Sequence, residues 1–265
     1  MPLAQSNGIT INYLDTGGDG TPLVFVHGYP LDGRMWEPQV NKLGGGRRII
    51  VPDLRGFGGS DVPEDRSAYS VKCFAEDVAA VLDDAGVDRA IICGLSMGGY
   101  VTFAFHRAFG TRVAGLVLAD TRAEADPPEV KEKRSNQQAQ VEKEGTGGLL
   151  DALPGLLLGP KSISNDPELE GRVRTLMDNP APGFIGALEA MKQRPDSSSD
   201  LAGIDVPTLI LVGEDDGLTP PDAARTMHEA ISGSRMVVIP EAGHFSNIEK
   251  PQDFNRALEG FLADL

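Results

Sequence analysis

A serine framed by small residues, Gly94-Leu95-Ser96-Met97-Gly98-Gly99, follows directly on the apolar run Ile91-Ile92-Cys93. Gly-x-Ser-x-Gly at the end of a strand is the pattern of a nucleophile elbow, a strand-to-helix turn that strains the serine backbone and presents its hydroxyl at a sheet edge. Gly94 and Gly98 then have a steric task, because strand and helix pass so close there that a Cβ would collide. A serine hydroxyl is a weak nucleophile at neutral pH. Ser96 therefore needs a base within hydrogen-bond reach and a third group to orient that base.

Four histidines could supply the base. His27 opens the loop after an earlier apolar run and is expected to shape that loop. His106 and His228 fall inside helical stretches, where packing or solvation is the default. His244, in Pro240-Glu241-Ala242-Gly243-His244-Phe245, follows the last strand directly and so lies in a loop at the elbow's edge of the sheet. It is the candidate base. For the acid, Asp216 leads, in Gly213-Glu214-Asp215-Asp216-Gly217-Leu218-Thr219-Pro220, with its neighbour Asp215 and the strand-terminal Asp120 as competitors. A tetrahedral intermediate also needs donors for its oxyanion, commonly backbone N–H groups. Met97, at the start of the helix after Ser96, is one candidate, favoured by the helix dipole. Tyr29, in His27-Gly28-Tyr29-Pro30, is the other, since Pro30 has no N–H to offer.

The elements that must position these groups alternate. Ile9–Tyr13 alternates apolar and polar residues as a strand with one wet face would; Gly17-Gly18-Asp19-Gly20 is a turn, and an antiparallel hairpin is expected to open the chain. Continuous apolar runs at 22–26, 48–51, 90–93, 113–119, 207–213 and 236–239 suit strands buried on both faces. Helical stretches at 71–85, 100–109, 221–231 and 253–262 lie among them. Strand alternating with helix implies a parallel, doubly wound sheet. The rhythm breaks between 121 and 200, where four helical pieces are expected. Pro128–Glu144 is nearly all polar and reads as a solvated surface helix. Leu149–Leu158 is apolar almost all round. A third piece starts at Asn165-Asp166-Pro167, and a last one carries Phe184, Ile185, Leu188 and Met191. Residues 122–200 are expected to form a helical cap over the catalytic edge of a core made of residues 1–121 and 201–265.

The chain has 265 residues, 40% of them apolar, and a formal net charge of -15. Such acidity disfavours nucleic acid or an anionic membrane as a partner. Cys73 and Cys93 are the only cysteines, no run of eighteen apolar residues occurs, and no basic-then-apolar leader opens the sequence. A soluble cytoplasmic protein with reduced thiols is expected.

With these residues placed, the chain resembles the α/β-hydrolase superfamily over nearly its whole length. The resemblance rests on His27-Gly28-Tyr29-Pro30, Asp53-Leu54-Arg55-Gly56-Phe57-Gly58-Gly59-Ser60, Gly94 to Gly99, Gly213 to Pro220 and Gly243-His244. It implies a mostly parallel eight-stranded sheet with helices on both faces and an inserted cap. The order Ser96, Asp216, His244 matches that of α/β-hydrolases and decides for Asp216. Within the superfamily the chain is most similar to the 3-oxoadipate enol-lactonase and carboxylesterase-like group. The resemblance thus implies a serine hydrolase that cleaves small, largely apolar esters or lactones, without cofactor or metal. Cofactor-free perhydrolases and haloperoxidases are also similar, and some ligand receptors share the fold. Trp36 is placed beside the acyl pocket by this resemblance, with a core position as the alternative. Enol-lactones carry carboxylates that would want a cation, such as Arg122 or Arg194. Family members with an Asp nucleophile are disfavoured by Ser96, and carbon–carbon hydrolases by Leu95 and Tyr29-Pro30.

Overall fold

The apolar runs become the centre of an eight-stranded sheet in the computed structural model, which describes residues 1–265. The strands are β1 (Leu3–Ser6), β2 (Ile9–Asp15), β3 (Leu23–Val26), β4 (Ile49–Pro52), β5 (Ala90–Leu95), β6 (Val113–Ala119), β7 (Thr208–Gly213) and β8 (Arg235–Ile239). Their spatial order is β1-β2-β4-β3-β5-β6-β7-β8. β1, β2 and β4 pair antiparallel, and every pair from β4 to β8 is parallel. All residues of β3, β4, β5 and β7 are buried, which is why these runs lack the alternation of a half-wet strand.

Successive side chains instead divide between two cores. Val24, Val26, Ile50 and Ile92 point to one face, against α2 (Val71–Asp84), α3 (Met97–Phe109) and α9 (Pro221–Ala230). Leu23, Phe25, Ile49, Val51 and Ile91 point to the other, against α1 (Glu37–Leu43) and α11 (Pro251–Leu262). Each fully buried Val, Leu, Ile or Phe contributes about 1.5–3 kcal/mol relative to an exposed one, so two filled faces hold the sheet rigid beneath the loops that leave its edge. A short helix, α10 (Ser246–Glu249), follows the loop after β8.

The opening hairpin is present, but its turn is Asn7-Gly8, with φ of 50° and 80°, and not the Gly17–Gly20 stretch. Asn-Gly is the preferred pair for a two-residue hairpin turn because both residues tolerate positive φ. β2 consequently lies between β1 and β4, and Ile11, Asn12 and Tyr13 are all buried instead of alternating.

Between β6 and β7 the chain forms five helices: α4 (Pro128–Glu144), α5 (Gly147–Leu157), α6 (Pro160–Asn165), α7 (Leu169–Leu176) and α8 (Ala181–Lys192). They are anchored to the sheet's loops at points of backbone contact. A Cβ on Gly183 would lie 2.0 Å from the Gly56 carbonyl oxygen, and one on Gly186 would meet the Tyr69 ring at 2.3 Å. The Asn179 side chain accepts from the Gly58 N–H (2.9 Å) and donates to the Pro30 carbonyl (3.2 Å). The loop after β4 is held in turn by a buried ion pair, Arg55 to Asp77, at 2.6 Å. α4 is not the fully solvated helix expected from its polarity. Gln138 and Val141 are buried, and Gln138 donates to the Ile185 carbonyl (2.9 Å) and to Glu189 (3.0 Å) of α8.

Candidate active site

β5 ends at Leu95 and α3 begins at Met97, leaving Ser96 alone in the turn with φ 54° and ψ -112°. Such a conformation costs a non-glycine residue about 1–3 kcal/mol and persists only where the surroundings impose it. Here they do. A Cβ on Gly94 would lie 2.1 Å from the Gly98 carbonyl, one on Gly98 2.2 Å from the Val26 carbonyl, and one on Gly99 2.3 Å from the Thr121 hydroxyl. The three glycines let α3 pass directly over β5 and β3. Ser96 itself donates its N–H to Ala119 (2.9 Å) and accepts at its carbonyl from the Thr121 hydroxyl (2.8 Å).

The structure brings Ser96, His244 and Asp216 together. Ser96 Oγ is 2.8 Å from His244 Nε2, and Asp216 Oδ2 is 2.9 Å from His244 Nδ1. All three are buried, at 7%, 1% and 2% exposure, so their interactions are little screened by solvent. Asp216 Oδ1 accepts from the Leu218 and Thr219 amides at 2.8 and 2.9 Å, and Oδ2 accepts from the Thr219 hydroxyl at 2.6 Å. Burial works against the Asp216 anion, yet His244 and these donors hold its carboxyl below the ordinary range. Burial likewise opposes a charged His244, and the Asp216 carboxylate outweighs it, raising the imidazole above its ordinary value. With Nδ1–H donated to Asp216, Nε2 is left as an acceptor facing the Ser96 hydroxyl.

The other acids stand elsewhere. Asp215 is exposed and makes no side-chain hydrogen bond with His244. Asp120 is fully buried, but it accepts from the Gly213 amide at 2.8 Å and from the Ser246 hydroxyl, so it ties the end of β7 to the start of α10. Burial, reinforced by the nearby Asp216 charge, pushes the Asp120 carboxyl well up. Among the histidines, His27 accepts from the Leu54 amide at 3.0 Å and joins the loops after β3 and β4. His106 lies half-buried on α3, and His228 Nδ1 contacts the Ser234 hydroxyl at 2.8 Å.

Tyr29 and Met97 flank the serine. A Cβ on Gly28 would lie 3.1 Å from the Leu95 carbonyl and 3.4 Å from Ser96 Cβ, so the loop bearing Tyr29 abuts the elbow. Neither the Tyr29 nor the Met97 amide has a hydrogen-bond acceptor in the protein. Trp36, by contrast, is displaced from the site. It ends a 3-10 turn (Gly33–Trp36), is fully buried, and stacks on Phe25 with ring centroids 4.5 Å apart. It lines no part of the cavity at Ser96, which corrects its expected place beside the acyl pocket; the β3 side chain beneath it provides the apolar partner.

That cavity has a volume of about 510 Å³, and its walls include Tyr29, Ser96, Tyr100 and His244 of the core and Leu153, Leu156 and Leu157 of α5 and Met191 of α8 from the inserted helices. The cavity also carries charge, much of it from α4. Lys133 and Arg134, with Arg122 from the preceding loop, also line it, against one carboxylate, Asp126. Arg194 is not in the cavity; it lies over the Tyr100 ring at 4.0 Å and pairs with Asp126 at 2.7 Å. Sequence reasoning missed Lys133 and Arg134 because a polar helix with no apolar stripe shows no preferred face. It also missed Glu249, which accepts from the Gly159 and Gly243 amides (2.8 and 2.9 Å) and from the Phe245 amide (3.1 Å), binding the His244 loop to the α5–α6 junction. His244 donates its own N–H to the Leu157 carbonyl at 2.7 Å. The spacing of Glu249 from His244 was the only available signal. No group of three His, Cys, Asp or Glu side chains is arranged to hold a metal ion, and no helix is long and apolar enough to cross a membrane.

Known proteins are similar to this chain over nearly its whole length. A thermophilic esterase from Thermogutta terrifontis, solved with malate bound, superposes with a TM-score of 0.94 at 37% identity, covering 99% of this chain and 98% of that one. The enol-lactonase of Burkholderia xenovorans superposes with a TM-score of 0.91 at 29% identity, over 99% and 100%. 3-Oxoadipate enol-lactonase 1 of Acinetobacter baylyi is 30% identical over 99% of this chain and 97% of its own length. The family model described as alpha/beta hydrolase fold matches residues 21–251, which include Ser96, Asp216 and His244. With the eight-stranded sheet and the strained turn at its centre, these matches establish that the chain belongs to the alpha/beta hydrolase fold family.

Proposed function

We propose that the protein is a serine hydrolase of small carboxylic esters or lactones, acting through an acyl-Ser96 intermediate. The observation that carries this reading is the buried relay from Asp216 through His244 to the strained Ser96, with contacts of 2.9 and 2.8 Å. His244 Nε2 takes the hydroxyl proton as Ser96 Oγ attacks the carbonyl carbon. The oxygen that gains charge accepts from the unengaged amides of Tyr29 and Met97, donors typically worth about 3–4 kcal/mol each. The imidazolium then gives its proton to the leaving oxygen, and the carbon–oxygen bond breaks. Water, deprotonated by the same nitrogen, attacks the acyl carbon; the bond to Ser96 Oγ breaks, the imidazolium returns the proton to that oxygen, and the acid leaves. In a lactone the leaving alcohol stays tethered to the acyl group. Residues 122–200 serve as the lid that encloses the substrate. That the similar proteins are an esterase and enol-lactonases supports ester-bond chemistry of this kind. The free thiols of Cys73 and Cys93 fit a reducing, cytoplasmic setting.

The test is the initial rate on short- and medium-chain p-nitrophenyl esters and on an aliphatic lactone, for the wild type and for folded Ser96→Ala, with mass spectrometry of the quenched wild-type enzyme. Turnover that disappears in the variant, with an acyl mass increment on Ser96, is the expected result. Equal turnover by Ser96→Ala overturns the reading.

A further inference from the structure

Resting on the serine-hydrolase reading, we propose that Thr219 is a positioning residue for the reaction: its hydroxyl, acting through Asp216 Oδ2, fixes the plane of that carboxylate and tempers the proton affinity of His244. Asp216 lies in the loop after β7, and the last torsion of a free Asp side chain is broad. Thr219, three residues on and 1% exposed, grips both carboxylate oxygens at once. Its N–H donates to Oδ1 at 2.9 Å and its hydroxyl to Oδ2 at 2.6 Å. Thr219 is itself held, because the residue before a proline, here Pro220, is confined to extended conformations, and a β-branched side chain has few χ1 choices. Two donors from one restricted residue leave the carboxylate a single orientation, with Oδ2 at 2.9 Å from His244 Nδ1.

The same hydroxyl sets how much charge His244 meets. Oδ2 is the oxygen that faces the imidazole, and a short donor on it disperses the negative charge that would stabilise an imidazolium. A hydroxyl has a single proton, and the 2.6 Å contact takes it. The 3.3 Å approach of Thr219 Oγ1 to His244 Nδ1 then presents only a lone pair, at a distance too long to compete with Oδ2. The two contacts act in opposite senses. Donation to Asp216 lowers the affinity of His244 for a proton, whereas a lone pair beside Nδ1–H would raise it, and the distances decide for the first. The other charges acting on His244 are Asp120 at the end of β6 and Glu249 of α10, and Thr219 bonds to neither. A general base works best with its pKa near the working pH, so a donor that offsets part of the Asp216 charge keeps His244 closer to that range.

The experiment follows kcat and kcat/KM against pH on a p-nitrophenyl ester for folded Thr219→Val, which deletes the hydroxyl and keeps the branched shape, and for Thr219→Ser, which keeps the hydroxyl. Thr219→Val should lower kcat by about 10- to 100-fold and move the acid limb of kcat/KM up by about half a pH unit, because His244 must lose its proton to act as base. Thr219→Ser should recover most of both changes. Since Thr219 acts through Asp216, adding Thr219→Val to Asp216→Asn should cause no further loss. An NMR titration of the His244 ring in folded Ser96→Ala, with and without Thr219→Val, reads the same shift without turnover. Where Thr219→Val does not fold, Thr219→Ala removes the same hydroxyl and gives the same readouts. An acid limb that stays in place or moves to lower pH, or an equal loss in the Asp216→Asn background, overturns the proposal and leaves the serine hydrolase standing. No turnover by the wild type, with the NMR shift present, overturns the hydrolase reading instead.

Discussion

Replacing Asp216 by Asn separates the two buried carboxylates near His244. The Leu218 and Thr219 amides both donate to Asp216 Oδ1, so an Asn must keep its oxygen there. Its amide nitrogen then occupies the place of Oδ2, 2.9 Å from His244 Nδ1. Two donors cannot face each other across that distance, so Nδ1 becomes the acceptor and the proton moves to Nε2, which can no longer take one from Ser96. A tautomer reversal of this kind lowers kcat by about 10⁴, or about 5 kcal/mol of barrier. The pH profile gives a second readout. His244 must be neutral to act as base, and Asp216 raises its pKa, so the acid limb of wild-type kcat/KM lies above the ordinary histidine value. Removing the charge moves that limb to lower pH. Asp120→Asn behaves differently. Its carboxyl is pushed up toward the neutral acid, which an amide resembles, and an Asn can still accept from the Gly213 amide while its nitrogen donates to the Ser246 hydroxyl. Its kcat should fall less than about tenfold. The assay is kcat and kcat/KM against pH on a p-nitrophenyl ester for both folded variants. A large loss in Asp120→Asn with near wild-type turnover in Asp216→Asn would refute the assignment of the acid.

Two further outcomes follow from the packing around the site. Gly98→Ala places a methyl 2.2 Å from the Val26 carbonyl, where only backbone can give way; it should destabilise the fold by about 3 kcal/mol or more, measured as a lowered denaturant midpoint, and a wild-type midpoint would show that β3 and α3 are not in contact. Glu249→Ala deprives the Gly159, Gly243 and Phe245 amides of their shared acceptor. Loss of that hold on the His244 loop should lower kcat by about 10- to 100-fold, with partial recovery in Glu249→Gln; stopped-flow turnover that stays within twofold of wild type in Glu249→Ala would deny Glu249 a positioning role.

What the sequence determined by itself is the sheet and the local geometry of its edge. Runs such as Leu23–Val26 and Thr208–Gly213 are continuous and apolar because each lies in a parallel sheet covered on both sides, a local constraint visible in composition. Gly94, Gly98 and Gly99 are legible for the same reason, since a steric limit between adjoining elements leaves only small residues. Asn7-Gly8 was equally legible as a turn, and the Gly17–Gly20 loop distracted from it. The tertiary structure alone decided which distant groups meet. The order Ser96, Asp216, His244 favoured Asp216 only through the resemblance; the residues by themselves left Asp120 open, because whether a carboxylate faces His244 Nδ1 or the Gly213 amide is a matter of ångströms between loops more than ninety residues apart. Trp36 has the composition of a pocket residue or of a core residue, and only the position of Phe25 beneath it selects the core. The face of α4 was undecided for a related reason. With no apolar stripe, its orientation is set by Gln138 reaching α8, and that contact turns Lys133 and Arg134 toward the cavity above Ser96.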